Sequence, residues 1–225
     1  MSRKMKRNCQ QIMKLLLMLL LMTFVVFPFL VCLSHTFKYE GEINSLTPHL
    51  LPHQFTLNNL KELFEDKEFF RGIFNSFKIS LITMLLATVL ALPAAYAIAR
   101  LRSRFNPVIQ GWIVLSQMIP VITLTVPLYL FLRTVRLTDS LEGLVLVYTI
   151  WSIPTTLWLL KGFVAGFPIE LEEAAAIDGC GIFRMFTKVM LPNILPGVLT
   201  AGIFAFIGAW NEFFFALCFL KSNES

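Results

Sequence analysis

Acidic side chains occur at two places in this sequence that are flanked by long apolar runs. A charged group at either place needs a binding partner. The first group lies in one short stretch between two apolar runs and comprises Glu170, Glu172, Glu173 and Asp178. The second is Glu212, inside the last apolar run and next to the neutral amide of Asn211. A carboxylate in hydrocarbon is costly unless it is paired or faces a polar cavity. The chemistry open to these groups is therefore docking a partner, lining a path for a polar solute, or joining two helices.

Motifs for hydrolytic or metal chemistry are absent from the sequence. It contains no Gly-x-x-x-x-Gly-Lys-Ser/Thr phosphate loop, no His-Glu-x-x-His and no Gly-x-Ser-x-Gly. His49 and His53 are spaced like a metal pair, but no carboxylate or cysteine pattern joins them. The sequence predicts no catalytic site, no metal and no cofactor. Any ATP hydrolysis must then be supplied by a separate protein.

The composition indicates a membrane protein. Of 225 residues, 56% are hydrophobic and 15% are charged, whereas a soluble domain has about 45–50% apolar and about 25% charged residues. The net charge is +5, but no basic stripe is interleaved with aromatic residues. The positive charge therefore indicates basic cytoplasmic loops and not nucleic-acid binding.

The elements that must position the acidic groups follow from the apolar runs. Five runs are long enough to cross a bilayer, which takes about 20 residues. They cover residues 13–33, 73–98, 108–132, 144–163 and 197–220. The polar segment 34–71 is net acidic and holds a short amphipathic helical pattern from Thr56. The predicted fold class is all-α, a polytopic transmembrane helical bundle of about five spans.

Basic residues predict the orientation of these spans, because cytoplasmic loops carry an excess of Lys and Arg. The N-terminal residues 1–12 are basic, and a second basic cluster, Arg100, Arg102 and Arg104, follows the second span. Both are expected in the cytoplasm, together with the acidic loop 166–196. Segment 34–71 and the C-terminal residues 221–225 are then expected outside.

The acidic loop has the pattern of two short helices with a sharp bend. Pro168 suits a first helical turn, the glutamates after it favour the positive end of the helix dipole, and three alanines are strong helix formers. Gly179 accepts the left-handed conformation that ends helices. A second helix is predicted at 181–189, after which Pro192 and Pro196 turn the chain into the last span.

Exposed apolar side chains are expected on the second of these helices, with Phe183 and Phe186 among them. Apolar surface in a charged loop favours a docked partner. Packing of both helices on the protein's own spans explains the same pattern. From the residues alone, both interpretations stay open.

The loop resembles the signature of binding-protein-dependent ABC importer permeases, which is Glu-Ala-Ala, three residues, Gly, nine residues, Ile-x-Leu-Pro. Here it reads Glu173-Ala174-Ala175, Gly179, then Val189-x-Leu191-Pro192, with Val189 as a mild departure. The resemblance implies that loop 166–196 forms coupling helices that sit in a groove of an ATPase subunit. The implied coupling residues are Glu172, Glu173, Ala174, Ala175, Asp178, Gly179, Phe183, Phe186, Leu191 and Pro192.

Further motifs are similar to the maltose-type, carbohydrate-uptake branch of that family. They include Gln117-Met118-Ile119-Pro120 and Gly208-Ala209-Trp210-Asn211-Glu212-Phe213. The resemblance implies a permease core at 72–220 that forms part of a sugar pathway in the bacterial inner membrane. The implied partners are a second permease chain in a heterodimer, two ATPase subunits, an extracytoplasmic substrate-binding protein and membrane lipid. Which carbohydrate is carried stays open.

The candidates for the translocation path are Gln117, Tyr129, Asn211 and Glu212. Hydrogen bonds between helices explain the same side chains. The alternative function is an ion-coupled secondary transporter or channel, which needs a carboxylate such as Glu212 and usually inverted repeats; none is visible. The family's sixth span has no counterpart after residue 220, which leaves a truncated product open as an interpretation.

Overall fold

The structure is a computed structural model that describes residues 3–45, 49–101 and 103–220. Regular backbone within these residues is helical, and no strand occurs among them. The predicted all-α class is confirmed. The chain divides into two compact units, Met1–Arg71 and Gly72–Ser225.

The first unit is built on one long apolar helix, α1 (Arg3–Thr36). Its apolar part, Gln10–Thr36, has a mean hydropathy of 2.9, and none of its most apolar window is buried. The predicted span at 13–33 lies inside this helix. A helix that is apolar all round and long enough to cross a bilayer is suited to lipid contact.

After α1 the chain folds back in a polar segment with two short helices, α2 (Glu40–Ile43) and α3 (Asn58–Glu65). Asn59 fixes this turn, because its Nδ2 donates to the carbonyls of Thr36 at 3.2 Å and Lys38 at 2.9 Å. The amphipathic helix predicted from Thr56 is α3, and the Thr56 hydroxyl accepts a hydrogen bond from the N–H of Asn58, its first residue, at 3.2 Å.

The second unit contains the remaining helices, of which α4 (Lys67–Arg100) begins just before it. The others are α5 (Asn106–Gln117), α6 (Val121–Thr134), α7 (Leu141–Gly166), α8 (Ile169–Ile177), α9 (Ile182–Met185), α10 (Leu191–Trp210) and α11 (Phe214–Phe219). The predicted spans at 73–98 and 144–163 lie inside α4 and α7. The predicted outer end at 221–225 lies outside the described residues.

The third predicted span, 108–132, is wrong as a single helix. It consists of α5 and α6, which meet at an angle of 99°. Pro120 causes the break, since it lacks an N–H and disfavours the helical conformation in the residue before it. Its own backbone is extended, with ψ of 132°, before α6 begins. With this bent pair counted as one span, the described residues hold five candidate spans.

The fifth predicted span, 197–220, is wrong at both ends. The apolar helix ends at Trp210, and α11 follows after a three-residue break. At its start the chain does not turn at Pro192 and Pro196, because Ile182–Trp210 is one continuous helix of 29 residues. A π-helical turn at Phe186–Met190 joins α9 to α10. Its i→i+5 hydrogen bonds let the helix continue where proline has no N–H to donate.

Close packing of α10 on its neighbours depends on two glycines. A Cβ at Gly197 would lie 2.2 Å from a ring carbon of Phe163 on α7. A Cβ at Gly202 would lie 3.3 Å from atoms of Met84 and Thr88 on α4. Small residues allow apolar helices to approach closely in a membrane. Gly197 and Gly202 thus allow α10 to pack closely on α7 and α4, the two helices that support the acidic loop.

Candidate functional site

The acidic loop begins where α7 ends. Phe167 and Pro168 have extended backbones, with ψ of 130° and 127°, and α8 starts at the next residue. Glu170 and Glu172 occupy its first turn, where the helix dipole favours negative charge. The first helix predicted for the loop is therefore α8.

A left-handed glycine ends α8 and creates the predicted bend. Gly179 has a φ of +78°. Its N–H donates to the Ala176 carbonyl at 3.1 Å, and the N–H of Cys180 donates to the Ala175 carbonyl at 2.9 Å, as in a Schellman motif. No atom beyond its chain neighbours lies within 4 Å of the place where a Cβ would stand. Glycine is required here for its backbone conformation and not for space.

Three large apolar side chains at this bend are almost fully exposed. Ile177 is 88% exposed, Ile182 is 75% exposed and Phe183 is 82% exposed. We call these three residues the apolar tip. The exposure of Phe183 agrees with the expectation from sequence. Apolar surface of this extent beside charged residues is typical of a surface that binds a partner.

The opposite side of the loop packs on the protein's own helices. Ala175 and Met185 are buried in one apolar cluster with Leu160 of α7. The Phe186 ring packs edge-on against Tyr96 of α4, with centroids 5.6 Å apart. The packing interpretation therefore holds for this face, whereas a docked partner on the exposed face stays a prediction. The expected exposure of Phe186 is wrong, because the π-helical turn directs this part of the loop inward.

The remaining predicted coupling residues divide in the same way. Leu191 packs against the apolar cluster that contains Ala175. Exposed positions are Glu173, Ala174, Asp178 and Pro192. The Glu173 carboxylate has no hydrogen-bond or ion-pair partner among the described residues. It is available to another protein.

An ion pair that the sequence patterns did not predict fixes α8 to the end of α4. Nε and Nη2 of Arg100 each lie 2.6 Å from Oε1 of Glu172. Oε2 of Glu172 accepts a hydrogen bond from the Tyr96 hydroxyl at 3.2 Å. Both carboxylate oxygens are therefore occupied within the chain. Glu172 therefore contacts α4 in this structure, and its role as a coupling residue stays a prediction.

The signal that could have identified this pair is helix periodicity. Tyr96 and Arg100 are four residues apart, which places both side chains on one face of α4. The positive-inside rule uses Arg100 only to orient a span and says nothing about its partner. Of the same predicted cluster, Arg102 lies outside the described residues, and Arg104 is exposed with its guanidinium 5.3 Å from the centroid of the Phe105 ring.

Glu212 lies in the break between α10 and α11, and not inside a span as predicted. Its Oε2 accepts from the Tyr148 hydroxyl at 2.6 Å, and its Oε1 accepts from the Phe215 N–H at 3.0 Å. The carboxylate thus caps α11 and ties it to α7. This is the structural hydrogen bond that the sequence left open as an alternative to a place on the path.

The other three path candidates lie on separate elements. Gln117 ends α5 beside the proline break and is exposed. Tyr129 on α6 is half-buried, with its ring 6.3 Å from that of Phe219 on α11. Asn211 is exposed at the C-terminal cap of α10. Tyr129 and Glu212 both adjoin α11, whereas Gln117 does not share this contact.

Comparison with known proteins identifies the family. Residues 87–223, more than half of the chain, match the model described as binding-protein-dependent transport system inner membrane component. The chain is 45% identical to a putative ABC transporter permease protein of Streptomyces antibioticus, over 76% of this chain and 75% of that protein. It is 38% identical to the sulfoquinovosyl glycerol transport system permease protein of Agrobacterium fabrum, over 89% of this chain and 70% of that protein.

A solved structure has the same fold. It is the crystal structure of a bacterial ABC transporter involved in the import of the acidic polysaccharide alginate, with a TM-score of 0.85 and 20% sequence identity. The match covers 100% of this chain and 78% of that chain. The helical fold, the bent loop and the family match agree. The chain belongs to the binding-protein-dependent transport system inner membrane components, the membrane-spanning permease subunits of ABC importers.

Proposed function

We propose that the chain is the permease of a carbohydrate importer and that it docks its ATPase through the apolar tip and Glu173. Membership of the family implies an ATPase and a substrate-binding protein as partners. The observation that carries the docking proposal is the two-faced loop. One face packs on α4 and α7, while the other leaves Phe183 82% exposed and the Glu173 carboxylate without a partner among the described residues.

The substrate class is proposed from the names of relatives. Permeases 38%, 34% and 38% identical to this chain are named for sulfoquinovosyl glycerol, diacetylchitobiose and trehalose, respectively. Each of these molecules is a sugar or a glycoside. A carbohydrate or a related glycoside is the substrate class that these relatives support, and the sequence motifs of the maltose-type branch agree with it.

The assembly is proposed to contain a second permease chain, with the N-terminus of this chain in the cytoplasm. The excess of arginine and lysine near the proposed cytoplasmic ends supports the orientation. Broad apolar faces of α5 and α10 stay exposed, with Trp112 at 69% and Phe204 at 56%. Lipid and a second, homologous chain are both suited to cover such faces.

Force from the ATPase is proposed to enter the membrane through α10. The helix Ile182–Trp210 continues through the π-helical turn, so part of the apolar tip and the span belong to one helical element. A displacement of Phe183 therefore reaches the span along a helix that has no loop in between. The ion-coupled alternative gains no support, because its candidate carboxylate, Glu212, is engaged by Tyr148 and Phe215.

The docking proposal is tested by co-purification of the ATPase with two matched variants. Phe183→Asp introduces a charge into the apolar tip, and Leu57→Asp introduces the same charge at a position 55% exposed in the proposed outer segment. Loss of a buried aromatic anchor at an interface costs 2 kcal/mol or more, which is about a 30-fold loss of affinity. We expect that loss for Phe183→Asp and unchanged binding for Leu57→Asp. Equal binding by both variants would refute the proposed docking surface.

The transport proposal is tested with proteoliposomes that contain the assembled complex. We expect uptake of a labelled sugar to require ATP on the ATPase side and the binding protein on the other. Uptake that follows an ion gradient and ignores ATP would favour the ion-coupled alternative. Wild-type chain without the ATPase serves as the matched control.

A further inference from the structure

Three elements of the second unit meet at the side chain of Arg100. This residue is the last of α4, and it binds Glu172 of α8 with two N–H groups. Its Nη2 also donates to the carbonyl of Phe167 at 2.7 Å, at the point where α7 ends and the loop begins. One guanidinium therefore joins α4, α7 and α8. We call Arg100, Glu172, Tyr96 and the Phe167 carbonyl the clamp.

The geometry of the clamp makes it more than a surface ion pair. The side chains of Arg100 and Glu172 are 14% and 11% exposed, so water and salt screen them little. Exposed pairs contribute little stability because they are screened and must be ordered. Here Tyr96 and the Phe167 carbonyl hold both partners in place. Removing one partner leaves the other charge poorly solvated.

The base of the clamp is itself fixed. Nδ2 of Asn106 donates to the carbonyls of Ile98 at 3.1 Å and Leu101 at 2.6 Å. These bonds satisfy carbonyls at the C-terminal end of α4, where a helix has no partners of its own. The last turn that carries Arg100 is therefore held in helical form. The guanidinium projects from a rigid support and not from a frayed end.

Two adjacent glutamates on α8 have different tasks in this arrangement. Glu172 is turned inward and both of its carboxylate oxygens have partners within the chain. Glu173 is exposed and has no partner among the described residues. Consecutive helical residues point in directions about 100° apart, since a turn takes 3.6 residues. Glu172 can therefore bind α4 while its neighbour Glu173 points away from the chain's own helices.

We propose that Arg100 is a positioning residue that locks α8 to α4 and α7, so that these elements move as one body when a partner displaces the apolar tip. The proposal rests on the proposed docking of an ATPase at that tip. The continuous helix Ile182–Trp210 provides one route from the loop into the membrane. The clamp provides the second route, into α4. Without it, α8 shifts under the partner while α4 stays where it is.

A distance measurement tests the clamp directly. Spin labels are attached at Ala176→Cys on α8 and Val89→Cys on α4, both exposed, after the four native cysteines have been replaced by serine. Electron–electron distances are recorded for the chain alone and for the complex with the ATPase, with and without ATP and vanadate. We expect one narrow distribution that stays the same in all three samples.

The variants in that measurement are Arg100→Gln, Arg100→Lys and Glu170→Gln. Arg100→Gln is expected to broaden the distribution in the chain alone and to shift it when ATP and vanadate bind the complex. Arg100→Lys keeps the charge and is expected to restore part of the narrow peak. Glu170→Gln changes an exposed glutamate of the same helix and is expected to match the wild-type distribution.

The outcomes separate the clamp from the docking proposal. An unchanged narrow peak in Arg100→Gln, in the chain alone and in the complex, overturns the clamp. A wild-type distance that itself shifts with nucleotide also overturns it. If no ATPase binds the wild-type chain, the docking proposal fails and the role of the clamp in transmission fails with it. Broadening in Arg100→Gln alone would then still identify the contact that fixes α8.

Discussion

Two of the helix breaks in the second unit that contain acidic residues have different surfaces. At the bend between α8 and α9, Gly179 turns the chain and the apolar tip stays exposed. At the break between α10 and α11, Glu212 binds Tyr148 and the backbone of Phe215, and Phe215 is fully buried. The first break leaves apolar surface without a partner. At the second break the Glu212 carboxylate has partners within the chain, and one large apolar side chain, Phe213, stays 70% exposed.

The difference shows that an acidic residue at a helix break does not by itself identify a binding site. A carboxylate with hydrogen bonds to both oxygens has its loss of water compensated within the chain. An apolar surface in water remains unfavourable until something covers it. The bend at Gly179 is therefore the better candidate for a docking site.

The largest expected effect on stability is at the second break. Glu212→Ala removes hydrogen bonds from the Tyr148 hydroxyl and the Phe215 N–H, and bonds to a charged group make this loss about 3 kcal/mol. Asn211→Ala, at the exposed neighbour, should stay within about 0.5 kcal/mol. Thermal unfolding in detergent micelles measures both. Wild-type stability of Glu212→Ala with complete loss of transport would instead assign Glu212 to the path.

The bend itself is expected to be sensitive to backbone conformation. Gly179→Val forces a β-branched residue to a φ of +78°, which costs about 1–2 kcal/mol. We expect this strain to distort the loop and abolish ATPase binding in a pull-down, while the chain still inserts into the membrane. Gly179→Asn is the control, because asparagine tolerates this conformation. Full ATP-driven uptake by Gly179→Val would contradict the account.

A smaller loss is expected when one partner of Glu212 is removed. Tyr148→Phe deletes the hydroxyl that donates to Glu212, while the Phe215 N–H still donates to the same carboxylate. The free energy of unfolding should therefore be about 1 kcal/mol lower than that of the wild-type chain. The same thermal experiment compares it with Glu212→Ala. A larger destabilisation by Tyr148→Phe than by Glu212→Ala would mean that the tyrosine has a second role.

The smallest effect on stability is expected at the apolar tip. Ile182→Ser changes a side chain that is 75% exposed, so unfolding should change by no more than about 0.5 kcal/mol. Ile79→Ser makes the same change at a position 6% exposed and should destabilise by 2 kcal/mol or more, about the cost of losing a buried isoleucine. Comparable destabilisation by both variants would show that the tip is packed and not free.

Several parts of the fold could be predicted because they depend on local chemistry. Long apolar runs predicted the helices α1, α4 and α7, since a bilayer requires about 20 apolar residues. Gly179 and the alanines before it predicted the bend, because few residues accept a positive φ. The apolar residues of the second loop helix predicted an exposed apolar side, and Phe183 is exposed as expected. These features need no knowledge of distant parts of the chain.

The predictions of the third and fifth spans were wrong because neither the length of an apolar run nor the presence of proline determines where a helix bends or ends. An apolar run of sufficient length does not distinguish one straight span from two helices bent at Pro120. A proline can end a helix, as Pro120 does, or be carried through by a wider turn, as Pro192 is after the π-helical turn. The outcome depends on tertiary packing, which a single sequence does not display.

The candidate site was predicted in outline and not in its inner contacts. Sequence identified the loop, but it assigned Glu172 and Phe186 to the docking face. Their inward position depends on Arg100 and Tyr96, which lie more than 70 residues away along the chain. Pairs of this kind are set by how helices pack. The four-residue spacing on α4 was the available clue.

Site-specific photo-cross-linking shows whether the apolar tip contacts the ATPase. A benzoylphenylalanine replaces Phe183 in one chain and Leu57 in another, and the membranes that contain the ATPase are irradiated. The account predicts an adduct with the ATPase from position 183, and none from position 57. An ATPase adduct from position 57, or none from position 183 while the ATPase co-purifies with the chain, would contradict it.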